Sequence, residues 1–231
     1  MNRSQLTRKL AKGAALLAAT LACVAFAQDP VKVSPDHYRV ESENELVRVL
    51  RSSGPGRAKS PMHEHPENVV VYLKDADVRV VGPDGTAKDS HRKRGEAIWN
   101  DVQKHERINL SDNPYELIQI ELKGPRSGIR PTSASLDPLK VNPVQFTVLV
   151  ENEKVRVIRS IGGPHAKAAL HAHPPYVSIA LTDSHLRTTD ETGATREAKR
   201  KAGSVTYKPA LKHAEENLSD SSFESILVEL K

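Results

Sequence analysis

The chain has 231 residues, of which 27% are charged, 38% hydrophobic and 4% aromatic. That length allows one or two domains with a proper core, and a single cysteine, Cys23, excludes a disulfide framework and any cysteine-based zinc cluster. The net charge of +5 is mostly terminal: 34 Lys+Arg against 29 Asp+Glu becomes 30 against 29 once Arg3, Arg8, Lys9 and Lys12 are set aside, so the remainder offers no electrostatic ground for a nucleic-acid partner.

Residues 1–27 read as an export signal. The basic residues are followed by an apolar stretch, Ala14 to Val24, and Ala25-Phe26-Ala27 fits the small-x-small cleavage pattern, which leaves Gln28 as the first mature residue. The expected localisation is therefore secreted, in the periplasm. The lipoprotein alternative, with Cys23 as the lipidated residue, is poorly served by Thr20 and Leu21. Beyond this segment no apolar run reaches the ~18 residues of a membrane span.

From there the elements read as strands. Leu46–Arg51 is rich in β-branched and aliphatic residues and is followed by turn residues. His63-Glu64-His65 falls on the next predicted strand. Val69–Leu73 is continuously apolar, as in a strand buried on both faces. Gly82-Pro83-Asp84-Gly85 marks a tight turn. In the last strand Ile118, Ile120 and Leu122 face one way, and Leu117, Gln119 and Glu121 the other. Gly124–Leu139, rich in Pro, Ser and Gly, reads as an exposed linker. The pattern then starts again with Lys154–Arg159 and ends with Ile226, Val228 and Leu230 in alternation. No segment has a capped 3.6-residue period. Many short strands with frequent turns predict an all-β sandwich or barrel.

The restart is a duplication. Lys32–Lys123 aligns without gaps on Lys140–Lys231 at a constant offset of 108, with 37 identities in 92 positions. The chain divides into a signal (1–27), an N-terminal domain (28–123), a linker (124–139) and a C-terminal domain (140–231).

Six of the ten histidines pair under the offset: His63 with His171, His65 with His173, and His105 with His213. His37, His91, His165 and His185 each face a different residue type. On a strand, residues two apart share a face about 7 Å apart, so His-x-His sets two imidazoles side by side. A third from a neighbouring strand completes a three-nitrogen face for a divalent transition ion and leaves positions open for substrate or water.

These residues resemble the cupin superfamily, and as a tandem pair the bicupins. Gly56 with Pro61-Met62-His63-Glu64-His65-Pro66, and His171-Ala172-His173-Pro174 in the second copy, match the first cupin motif. Gly203, Pro209, His213 and Asn217 match the second motif; the first copy has Gly95, His105 and Asn109, with Asp101 in place of the proline. The resemblance spans nearly all of the chain after the signal. It implies two tandem double-stranded β-helix (jelly-roll) barrels, each with a metal on its histidines. The family's usual fourth ligand, a glutamate four or five residues after the second histidine, is missing: Val69 and Val70, and Val177 and Ser178, stand there. The pattern is thus that of three-histidine cupins such as cysteine and acetylacetone dioxygenases, which hold Fe(II). Zinc, manganese, copper and nickel accept the same donors.

Three neutral imidazoles leave the full charge of a divalent ion uncompensated, which favours a small anionic or enolisable partner. The expected function is a metal-dependent, dioxygenase-like oxidoreductase. The alternatives are a non-catalytic binding module and a lyase or isomerase using the ion as Lewis acid. No acid or base stands out in the motifs. Asn109 and Asn217 are candidates for orienting a ligand, with a turn role as the alternative. Arg79 and Arg187 are candidates for a substrate carboxylate, with surface exposure as the alternative. Trp99 and Tyr207 are read as packing or pocket lining. Tyr72 against Ala180, and Asn68 against Tyr176, are the differences expected to separate two pockets.

Overall fold

The computed structural model describes residues 28–124 and 133–231; the segment expected to be an export signal and the middle of the linker lie outside the described residues. Each half opens with a one-turn helix, α1 (Pro30–Val33) and α2 (Pro138–Val141). Asp29 and Asp137 cap them, accepting from the backbone N–H of Val31 and Leu139, with proline at the first helical position. One turn is too short to leave a 3.6-residue period, and these helices escaped the sequence pattern.

The N-terminal half is a barrel of two antiparallel sheets. One has β1 (Tyr38–Glu43), β2 (Val47–Gly54), β9 (Tyr115–Leu122), β4 (Asn68–Tyr72) and β7 (Ala97–Asn100) in that order. The other has β3 (Lys59–His65), β8 (Gln103–Asn109), β5 (Ala76–Val81) and β6 (Ala87–Arg92). The C-terminal half repeats it with β10 (Phe146–Glu151), β11 (Val155–Gly162), β18 (Phe223–Leu230), β13 (Tyr176–Ala180) and β16 (Val205–Lys208), and with β12 (Lys167–His173), β17 (Leu211–Asn217), β14 (Ser184–Asp190) and β15 (Thr195–Arg200). The fold is all-β, with two tandem jelly-roll barrels.

The five-stranded sheets bury both faces. Val69, Val71, Ile118, Ile120 and Leu122 join Val177, Ile179, Ile226, Val228 and Leu230 in one core that runs between the barrels. Val70, Tyr72, Tyr115 and Leu117 point into the N-terminal barrel instead. This explains the unbroken apolar run in β4: alternate residues serve two different cores.

The two halves grip each other reciprocally. Arg51 donates to the Gly203 carbonyl at 2.5 Å, and its counterpart Arg159 donates to the Gly95 carbonyl at 2.9 Å. Both glycines have φ of +80°, a conformation open to glycine and strained for other residues. At Gly95 a Cβ would also press on Arg159 Nη2 at 2.8 Å.

Candidate metal centres

Each barrel brings three histidines together by strand register. His63 lies directly across from His105 on β3 and β8, and His171 across from His213 on β12 and β17. The donor nitrogens of each trio lie within 4.8 Å of one another. Ring centroids within the first trio are 4.7–5.5 Å apart, and within the second 4.6–5.6 Å.

A β-bulge aims them. The register slips between Ser60 and His63, and between Ala168 and His171. The extra residue resets the alternation, so Ser60, His63 and His65 are all buried. Pro61 in the bulge offers its carbonyl to His63 Nδ1 at 2.6 Å, and Ala169 does the same for His171 at 2.7 Å. A carbonyl only accepts, so Nδ1 carries the proton and Nε2 keeps its lone pair.

The second histidine is held through a relay starting at the helix cap. Asp29 grips Arg48 at 2.8 Å, Arg48 reaches Glu121 at 3.4 Å, and Glu121 meets His65 Nδ1 at 2.7 Å. The copy is tighter: Asp137 to Arg156 at 2.7 Å, Arg156 to Glu229 at 2.6 Å, Glu229 to His173 Nδ1 at 2.6 Å. A carboxylate on the far nitrogen fixes the ring and raises its basicity as a ligand. Burial pushes the Glu121 carboxyl up to about 7, against the pull of Arg48. Alternation in the sequence places Glu121 on the face of β9 opposite Ile118, Ile120 and Leu122. Both faces turn out to be buried, and this one looks into the barrel.

Five of the six imidazoles are held in the neutral form. Burial, reinforced by neighbouring positive charge, lowers His63 to about 4, His65 to about 3 and His105 to about 2. It lowers His171 to about 4 and His213 to about 3. His65 Nε2, His105 Nδ1 and His213 Nε2 are buried with no hydrogen-bond partner. Unpartnered buried nitrogens in trios whose donor atoms lie within 4.8 Å of one another fit a divalent ion.

The interiors then diverge. In the N-terminal barrel the Tyr38 hydroxyl donates to His63 Nε2 at 3.1 Å. Arg107, buried, lies 4.7 Å from the Tyr115 ring and 5.9 Å from the Tyr72 ring. In the C-terminal barrel Phe146 replaces Tyr38 and has no hydroxyl to offer. Val70, Tyr72 and Leu117 become Ser178, Ala180 and Ser225, and Arg107 becomes Glu215. The lost volume leaves a cavity of about 370 Å³ walled by His171, His173, His213, Tyr176, Arg200 and Glu215 among others. Glu215 sits deep in the barrel, and burial pushes its carboxyl up to about 7. The motifs did not reveal this carboxyl, which lines the cavity.

Other sequence candidates lie elsewhere. The Asn109 carboxamide donates to the Pro55 and Asn113 carbonyls and accepts from Ser111 N–H; Asn217 does the same with Gly163, Ser221 and Ser219. Arg79 is exposed and paired with Asp89 at 2.6 Å, and Arg187 with Glu197 and Glu216. Trp99 and Tyr207 pack on the core between the barrels. Glu64 pairs with Lys104, and Glu67 with Lys154. The four unmatched histidines make peripheral contacts: His37 with the Ser53 carbonyl, and His91, His165 and His185 with Asp77, Asp220 and Glu197.

No family model and no curated protein matches the chain. Solved structures do. AerE from Microcystis aeruginosa aligns at 15% identity over 89% of this chain and 98% of its own, with a TM-score of 0.65. An oxalate decarboxylase variant from Bacillus subtilis aligns at 12% identity over 87% of this chain and 71% of its own, with a TM-score of 0.58. The chain has a bicupin fold. Another structure of the Bacillus subtilis enzyme, which has Mn(II) centres, aligns with the same scores. At these identities the likeness is one of fold. The two histidine trios are observed on this chain itself, and Val69, Val70, Val177 and Ser178 supply no carboxylate beside them.

Proposed function

We propose that this bicupin is an exported metalloenzyme whose C-terminal barrel binds a small anionic molecule and oxidises it with dioxygen. The observation that carries the reading is the cavity of about 370 Å³ opening from three clustered imidazoles. It falls in the size range of small-molecule sites. His171, His173 and His213 would hold the ion, and Glu229 orients His173. When bound, the ion supplies Lewis acidity toward a carboxylate or enolate oxygen and, if redox-active, electrons for dioxygen. Tyr176, with its ring 4.9 Å from that of His173, forms an apolar wall that keeps water from one side.

The N-terminal trio has the same donors, but a phenol already occupies one lone pair and Arg107 adds positive charge. A cation there works against that charge. The proposal therefore assigns turnover to the C-terminal barrel and weaker metal binding to the N-terminal one.

Elemental analysis of protein purified without chelators tests the metal, and oxygen uptake by Fe(II)-loaded protein on adding carboxylates or diketones tests the chemistry. Uptake lost in His213→Ala and kept in His105→Ala is the expected result. Absence of bound metal, even after titration, would remove the catalytic reading. The fold likeness to oxalate decarboxylase supports a second reading, in which CO2 is released from a carboxylate substrate without net oxygen consumption. Export is tested by sequencing the N-terminus of the periplasmic protein, where Gln28 should come first.

A further inference from the structure

The duplication allows every charge in the active barrel to be compared with an internal control. In the N-terminal barrel Arg92 pairs with Glu96 four residues on, at 2.5 Å. Its counterpart Arg200 has lost that partner, because Ser204 stands where Glu96 does. Arg200 instead donates to the Ser178 hydroxyl at 2.7 Å and to the Ser178 and Ser204 carbonyls at 3.0 and 3.1 Å. Its Nε is buried and has no partner. Among the described residues no carboxylate lies within ion-pair distance of it.

Two further cations join it. Alternation on β15 turns Arg196 and Arg200 to the cavity, while Glu197 faces outward to Arg187. Lys208 on β16 also lines the cavity, and its counterpart is the neutral Asn100. Burial lowers the Lys208 ammonium, and the charges of Arg196 and Arg200 lower it further. The acids facing the same cavity are Glu215, which forms no ion pair with Arg200, Arg196 or Lys208, and Asp190, whose carboxylate is engaged by Thr192 and two backbone N–H groups.

The cluster borders the histidine trio: Lys208 lies directly across from Tyr176 in the register of β13 and β16, and the Tyr176 ring is 4.9 Å from that of His173. A half-buried cation without a counter-ion is costly, and the N-terminal barrel avoids that cost with Glu96.

We infer that Arg200, Lys208 and Arg196 form a second anion subsite, so that the C-terminal cavity selects a small dianion carrying two anionic groups joined by a spacer. One group faces the histidine trio and the other meets the guanidinium of Arg200. This rests on the proposed metal site for the first group only. With both Nη2 hydrogens given to the Ser178 and Ser204 carbonyls, Arg200 keeps one Nη1 hydrogen and its charge for an anion.

Calorimetric titration with glutarate and with pentanoate tests this, since the two have the same carbon count and differ by one carboxylate. Manganese-loaded and chelator-treated protein are both titrated. Glutarate should bind at least tenfold more tightly than pentanoate, and Arg200→Gln and Lys208→Met should remove most of that preference. Ser204→Glu, which restores the partner found in the other barrel, should remove it too without deleting a cation. Arg92→Gln should leave it unchanged. Equal binding of the two acids by wild-type protein, or an unchanged preference in both Arg200→Gln and Ser204→Glu, would overturn the inference. The metal reading fails separately: manganese that does not bind, alongside a glutarate preference that Arg200→Gln abolishes, would refute the metal site and leave the dianion subsite standing.

Discussion

Ile226→Ala asks whether the two barrels unfold as one body. Ile226 is fully buried on the face of β18 that meets the N-terminal barrel. Truncating such a side chain removes its burial and leaves a cavity, at a cost of about 2–5 kcal/mol. For urea slopes of about 3 kcal/mol/M the midpoint falls by on the order of 1 M. The chain supplies its own reporter in Trp99, the only tryptophan, which sits in the other barrel. If the shared core couples the halves, the fluorescence of Trp99 and the far-UV circular dichroism shift together and keep one midpoint. A Trp99 transition left at the wild-type midpoint, beside a second transition moved to lower urea, would refute the coupling. The core between the barrels would then be a contact and not a common foundation.

Other outcomes follow from the same geometry. In chelator-treated protein His63, His65, His105, His171 and His213 have native values of about 2–4, below the ordinary 6.5, so the unfolded chain takes up more protons between those limits. Stability is then fully present above about pH 6.5 and falls as the pH drops, by about 1.4 kcal/mol per group per pH unit; urea midpoints that do not move from pH 7.5 to 5 would contradict this. Glu229→Gln should weaken metal binding in the C-terminal barrel about 10–100-fold, read by chelator competition, with the N-terminal site unaffected; equal affinities would deny Glu229 its orienting role. Tyr38→Phe frees the lone pair of His63 and should tighten the N-terminal metal site at a stability cost of about 1 kcal/mol. Competition and thermal melts check both halves of that statement.

Much of this was legible before the structure. A gapless offset of 108 and three matched histidines point to two equal barrels and two trios. The unbroken run at β4 foretells burial on both faces, and Asn68 against Tyr176 marks where the interiors part. What stayed hidden depended on distant partners. The bulge at Pro61 changes the phase of alternation, which no period count detects. Glu121 and Glu229 look like the wet side of an amphipathic strand until the opposite sheet is known to cover them. The basic stretch Arg196–Lys201 reads as a solvated turn, yet alternate residues on it, Arg196 and Arg200, reach the cavity. Asn109 is where the motif puts it, but its amide is consumed by a loop that only the folded chain closes.

The reciprocal grip of Arg51 on Gly203 and of Arg159 on Gly95 is the contact pattern of two identical subunits about a two-fold axis. Two separate copies of one ancestral barrel could have made it as they stand. In such a homodimer every substitution is written twice, so a tyrosine that plugs one interior plugs both, and a vacated pocket weakens both. Joining the copies in one chain lifts that constraint. One barrel can keep its aromatic filling and carry the stability, while the other gives up Val, Tyr and Leu for Ser178, Ala180 and Ser225 and becomes a vessel. Fusion, on this view, lets one interior open without loosening the pair.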